Sequence, residues 1–122
     1  MKKILIVDDD PTVQKLVSSI LAAEGYDVAI AKDGIDAMVA LKKEKPDLLV
    51  LDIMMPEFNG YDVCHAIKFD PVLKDLPIVI LTQREKELDS RLGVLMGIEY
   101  LHKPVSPKEL VAMISGMLAR KK

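Results

Sequence analysis

The chain has 122 residues, and because domains run to about 100–200 residues it reads as one domain, 1–122. Half of the residues are hydrophobic and 30% are charged, as in ordinary globular proteins, and the net charge of −2 gives no electrostatic case for a direct nucleic-acid partner. The single cysteine, Cys64, excludes an internal disulfide and a multi-cysteine zinc site. No apolar run exceeds five residues (Ala37 to Leu41), against about 20 for a membrane span, so no membrane insertion is expected. An apolar run of only four residues, Ile4 to Val7, precedes Asp8, Asp9 and Asp10, too few for the ~7–15 of a secretory signal. A cytoplasmic location is expected.

Short aliphatic runs alternate with helical stretches. Ile4–Val7 reads as a strand buried on both faces. Asp10-Pro11 reads as an N-cap followed by proline at the first helical position. Val13, Leu16, Val17, Ile20 and Leu21 then follow one apolar helical face, and Gly25 stands where that helix should stop in a left-handed residue. Val28–Ala31 is the second strand, and Ile35, Met38 and Val39 mark a short helix. Leu48–Leu51 is the third strand, with Val63, Cys64 and Ile67 on the helix after it. Lys68 to Leu76 is the loosest stretch, a loop bracketed by Pro71 and Pro77. Ile78–Leu81 is the fourth strand; Leu88, Leu92, Leu95 and Met96 form a fourth apolar stripe, stopped by Gly97. Ile98–Leu101 is a weaker fifth strand. Ser106-Pro107-Lys108-Glu109 reads as a capping box, opening a last helix with Leu110, Met113, Ile114, Met117 and Leu118 on its apolar face. Arg120, Lys121 and Lys122 suit the negative end of that helix.

Five successive βα units imply an α/β fold: a parallel sheet between two helical layers, with right-handed crossovers. Five strands in this length suit a flavodoxin-like (βα)5 three-layer sandwich of strand order 2-1-3-4-5. Ligands of such sheets bind beyond the carboxyl ends of the strands, at the switch in strand order. Those ends carry Asp8, Asp9 and Asp10 on strand one, Asp52 on strand three, Thr82 on strand four, and His102, Lys103 and Pro104 on strand five.

Clustered carboxylates repel and raise one another's pKa, so they call for a cation. Mg²⁺ suits them, because it takes one or two carboxylates and recruits phosphate oxygens. Lys103 adds a positive charge, Thr82 a hydrogen bond, and Asp52 a carboxylate able to form an aspartyl-phosphate. Each residue singly has an ordinary explanation. Asp10 is a helix cap, Asp52 a turn aspartate, Lys103 a solvated lysine. Their joint arrival on adjacent strand ends is what points to phosphoryl chemistry.

The segments Ile4-Leu5-Ile6-Val7-Asp8-Asp9, Leu49-Val50-Leu51-Asp52-Ile53-Met54-Met55-Pro56 with Asn59-Gly60, Pro77-Ile78-Val79-Ile80-Leu81-Thr82, and Tyr100-Leu101-His102-Lys103-Pro104 resemble, in order and spacing, the receiver domain of two-component response regulators, the chemotaxis-regulator type included. The resemblance covers the whole chain. It implies that Asp52 accepts a phosphoryl group from a sensor histidine kinase or phosphotransfer protein, and that the chain is a phosphoacceptor rather than a turnover enzyme. It implies that Asp9, Asp52 and the Met54 carbonyl bind Mg²⁺, with Asp8 joining through water. Lys103 and Thr82 would bind phosphoryl oxygens, Tyr100 would follow Thr82 inward as a switch from solvent, and Lys103–Pro104 would be a cis peptide. The face made by the fourth helix, fifth strand and last helix would dock a downstream protein partner or output domain. Gln83 and Val105 depart from the residue types the family favours there.

Two alternatives stay open. Asp8-Asp9-Asp10-Pro11-Thr12 fits the D-x-D-x-T pattern of haloacid-dehalogenase-type phosphatases, in which Asp8 would attack and Asp10 act as general acid. A phosphorylation-independent pseudo-receiver is the other, although such domains typically lose part of the acidic set, the threonine or the lysine. His65 and His102 have no second ligand at metal spacing and read as structural, and Cys64 reads as a buried inert thiol.

Overall fold

The computed structural model of the protein describes residues 1–53, 55, 58–82 and 97–120. Strands β1 (Lys3–Val7), β2 (Asp27–Ala31), β3 (Leu48–Asp52), β4 (Ile78–Thr82) and β5 (Ile98–His102) form one parallel sheet of order β2-β1-β3-β4-β5. Four helices are described: α1 (Pro11–Ala23), α2 (Gly34–Lys43), α3 (Gly60–Lys68) and α4 (Pro107–Arg120). The predicted stripe Leu88, Leu92, Leu95 and Met96 lies outside the described residues, as do Met54, Gln83, Lys121 and Lys122.

Side-chain alternation along the strands splits the core in two. Leu5, Val7, Leu49, Leu51, Ile78 and Ile80 point to the layer of α2 and α3. Ile4, Ile6, Leu48, Val50, Val79 and Leu81 point to the layer of α1 and α4. β3 and β4 are buried throughout, as their unbroken aliphatic runs predict. The edge strands β2 and β5 depart from that expectation: each has a flank without a neighbouring strand and keeps partly exposed positions.

Local signals set the helix ends. Asp10 accepts from the Thr12 amide and Pro11 opens α1. Gly25 (φ 88°) and Gly97 (φ 74°) both adopt the left-handed conformation. Ser106 Oγ accepts from the Glu109 amide at 3.3 Å. Asn59 and Asp62 form a full reciprocal capping box on α3, which the sequence reading did not pick out. The stretch expected to be loose is a series of turns, in which Asp70 Oδ1 accepts from the Val72 and Leu73 amides and Leu73 and Leu76 are buried.

The predicted face of α2 is corrected. Ile35 and Val39 are 58% and 50% exposed, and the buried row is Gly34, Ala37 and Leu41. Helix α2 meets its neighbours through small residues; a Cβ on Gly34 would stand 2.1 Å from the Phe58 carbonyl oxygen. Leu16, placed on the apolar face of α1, is also exposed, while Val17 and Leu21 are fully buried.

At the amino ends of the strands, Lys3 forms a clasp. Its amide donates to Asp47 Oδ2 at 2.7 Å, and its ammonium pairs with Glu44 at 2.7 Å.

Candidate functional site

The strand register carries the chemistry to one end of the sheet. Val7 aligns with Leu51, Asp52 with Leu81, and Thr82 with His102. The residues that follow Val7, end β3 and β4, and follow β5 therefore meet at the carboxyl edge, where β1 and β3 part toward opposite layers.

Asp8 is fully buried and held at several atoms. Its amide donates to the Ala31 carbonyl at 3.3 Å, its Oδ1 accepts from the Asp10 amide at 2.9 Å, and its carbonyl accepts from Gln14 Nε2 at 2.6 Å. Asp52 is 4% exposed and Thr82 is 5% exposed. Asp9 is exposed. Carboxylate oxygens of Asp8, Asp9 and Asp52 lie within 4.8 Å of one another. Lys103 Nζ lies 3.2 Å from Asp52 Oδ1 and 3.4 Å from Asp8 Oδ2. The Lys103–Pro104 peptide bond is cis, and the Lys103 amide donates to the Thr82 carbonyl at 2.7 Å.

The electrostatics follow from burial and charge. Burial raises the Asp8 carboxyl above its ordinary range, and the Asp52 charge adds to this; the Asp10 amide and Lys103 oppose it. Burial pulls Lys103 down, but Asp8 and Asp52 outweigh it and leave its ammonium above the usual value. Among the described residues the pocket thus holds three carboxylates and one cation.

Gly60 shapes the rim. A Cβ there would stand 2.6 Å from the Asp52 carbonyl oxygen and 2.7 Å from Ile53 Cα. The Gly60 amide donates to the Ile53 carbonyl at 3.1 Å, tying the start of α3 to the turn behind Asp52. Only glycine lets these backbones approach so closely. The steric need for glycine at position 60 arises only where α3 meets the β3 end.

Thr82 and Tyr100 share one face of the sheet, because Tyr100 aligns with Ile80, two residues before Thr82. Tyr100 is half-buried against the core rather than in solvent, where the sequence reading put it. Asp10 serves as the α1 cap, with its side chain on the Thr12 amide. The Met54 carbonyl lies outside the described residues. His65 packs against the Phe69 ring at a centroid distance of 4.6 Å, and burial pushes the Cys64 thiol up to about 11, which keeps it protonated and unreactive. The role of Gln14 is not legible in the sequence, because a polar residue early in a helix has no spacing that marks it.

Residues 4–115 match the response regulator receiver domain family. The chain belongs to this family. The DNA-binding response regulator MtrA of Mycolicibacterium smegmatis is 41% identical over 98% of this chain and 51% of its own length. The chain spans about half the length of the curated relatives it matches. The chemotaxis protein CheY4 of Vibrio cholerae superposes with a TM-score of 0.85 at 30% identity, covering 96% of this chain and 98% of that chain. The receiver domain of a sensor histidine kinase from Pseudomonas aeruginosa PAO1, with a magnesium ion coordinated in its active site cleft, gives 0.85 at 27% identity over 97% and 98% of the two chains. A response regulator receiver is a phosphoacceptor of two-component signalling. Nothing in these likenesses supports the phosphatase or pseudo-receiver alternatives. Among the described residues no helix is long and apolar enough to cross a membrane.

Proposed function

We propose that Asp52 is the phosphoacceptor and that residues 1–122 work as one receiver unit on the cytoplasmic side of a two-component system. The observation that carries this is Lys103 Nζ at 3.2 Å from the nearly buried Asp52 carboxylate, inside the Asp8–Asp9–Asp52 group. An Asp52 oxygen attacks the phosphorus of a phosphohistidine on a sensor kinase or phosphotransfer protein. A P–O bond forms, the P–N bond breaks, and its electron pair leaves with the imidazole. Lys103, already at both buried carboxylates, binds an emerging phosphoryl oxygen, and Thr82 donates to another. The chain thereby assists its own phosphorylation and dephosphorylation.

Asp8, Asp9 and Asp52 fit a magnesium ion, since they are hard oxygen donors with more negative charge than Lys103 balances. Asp9 and Asp52 would hold it directly and Asp8 through water. Bound there, it would neutralise charge on the phosphoryl oxygens and the attacking carboxylate.

Phosphate on Asp52 would draw Thr82 inward, and Tyr100 on the same sheet face would follow it deeper. The surface of β5 and α4 would then change, together with the predicted helix before β5. A 440 Å³ groove lined by Glu99, Leu101, Met113 and Arg120 lies between β5 and α4 and would be part of a docking face for a protein partner or output domain. The net charge of −2 favours a protein partner for this segment over nucleic acid.

The test is labelling with acetyl phosphate and Mg²⁺, read by intact mass and peptide mapping. One phosphoryl group per chain on Asp52, lost in Asp52→Asn, supports the assignment. Normal labelling of that variant, with the phosphate mapped to Asp8 and turnover of p-nitrophenyl phosphate, overturns it.

A further inference from the structure

We infer that Gln14 is a positioning residue for the acidic pocket, acting through the peptide plane between Asp8 and Asp9. Residues Asp8 to Asp10 form the turn from β1 into α1, and Gln14 ties that turn at both ends. Its amide donates to the Asp10 carbonyl at 3.0 Å, the first hydrogen bond of α1. Its side-chain Nε2 donates to the Asp8 carbonyl at 2.6 Å. The second bond answers a need. Sheet pairing of β1 ends at Val7, so the carbonyl of the fully buried Asp8 lies past the ladder. A buried carbonyl without a donor is costly, and Gln14 supplies one.

The consequence reaches Asp9. The Asp8 carbonyl and the Asp9 amide belong to one rigid peptide plane. Fixing the carbonyl fixes that plane, and the Asp10 amide on Asp8 Oδ1 holds the next one, so together they set the direction in which Cα of Asp9 projects its carboxylate. Asp9 is exposed, so packing does little to hold it. Its place within 4.8 Å of Asp8 and Asp52 depends on the backbone beneath it, and Gln14 holds that backbone.

This inference rests on the magnesium reading above, and the experiment separates the two. Gln14→Met keeps length and neutrality but removes the donor; Gln14→Glu removes the donor and adds negative charge. Magnesium affinity is measured by titration calorimetry, and the Asp8 carbonyl carbon and Asp9 amide resonances are recorded by NMR in metal-free buffer. The expected result is a roughly three- to tenfold weaker magnesium affinity for Gln14→Met, the factor one ordinary hydrogen bond is worth. Both resonances should move. Gln14→Glu should bind no tighter than the parent, although added charge alone would tighten binding. Val17→Ala, in the buried face of the same helix, should lower stability and leave magnesium affinity unchanged, which separates positioning from general loosening. Parent-like affinity and unmoved resonances in both Gln14 variants overturn the inference. If the parent takes up no magnesium, the metal reading falls, and the metal-free resonances still decide for or against Gln14. Should Gln14→Met fail to fold, Gln14→Glu carries the same comparison.

Discussion

The ammonium of Lys103 lies 3.2 Å from Asp52 Oδ1, across 51 positions of the chain. The same ammonium reaches Asp8 Oδ2 at 3.4 Å. One cation therefore serves two buried carboxylates, and the sheet order makes this possible by placing the ends of β1, β3 and β5 on one edge. Among the described residues the pocket is net negative and can take further positive charge.

Lys103→Met should show how much that cation matters. Removing one partner of a buried ion cluster leaves uncompensated charge, so about 2–4 kcal/mol of stability should be lost near neutral pH. Magnesium should restore part of it by replacing the missing cation. Urea unfolding with and without Mg²⁺ checks this; an unchanged midpoint in metal-free buffer would count against it.

The pH dependence of Asp8 has a definite sign. Its carboxyl binds a proton more tightly in the fold than its ordinary 3.8, with burial as the largest cause. Its contribution to stability is therefore fully present below 3.8 and is lost as pH rises through the folded value. Asp8→Asn should gain on the parent as pH climbs out of the acid range, and the gain should level off above the folded value. Metal-free unfolding of both proteins across that window reads it; a difference flat with pH would contradict the expectation.

Two glycines should respond oppositely to alanine. Gly60→Ala would drive a methyl into the Asp52 and Ile53 backbone, which cannot rotate away, and should cost about 2–3 kcal/mol while slowing phosphorylation. Gly116 lies inside α4 with nothing within 4 Å of its added Cβ. Gly116→Ala should stabilise by about 0.5–1 kcal/mol through backbone entropy. Thermal unfolding of the pair decides, and a stable Gly60→Ala would show that the close approach can relax.

Thr82→Ala should still take a phosphoryl group yet transmit less. Beryllofluoride, standing in for the phosphoryl group, should shift Tyr100 and α4 amides in the parent and shift them less in the variant. Equal shifts in both would show that the hydroxyl is not the link. Tyr100 begins half-buried against the core, so its movement should be shorter than a transfer from solvent.

The aliphatic runs and capping residues made the strands, their order and the carboxyl-edge residues legible, because those signals are local. Asp8, Asp52, Thr82 and Lys103 followed from strand ends alone. What stayed hidden depends on contacts distant in the chain or on small side chains. The need for glycine at position 60 exists only because the start of α3 crosses the Asp52 backbone. Helix α2 carries apolar residues on two sides, and its buried row, Gly34, Ala37 and Leu41, is the less hydrophobic one. Periodicity favoured Ile35 and Val39, which project outward. The Asn59–Asp62 box is a local signal, legible in the sequence as N-x-x-D.

The clasp of Lys3 on Glu44 and Asp47 fixes the opposite end of the sheet, about 16 Å from Asp8 at the ordinary rise of a strand. Met1 projects from that end with its side chain in water. A dye or surface linker attached there would hang away from the acidic rim. A chain tethered by its amino terminus would stand with that rim facing the bulk solution, open to a kinase delivered in flow.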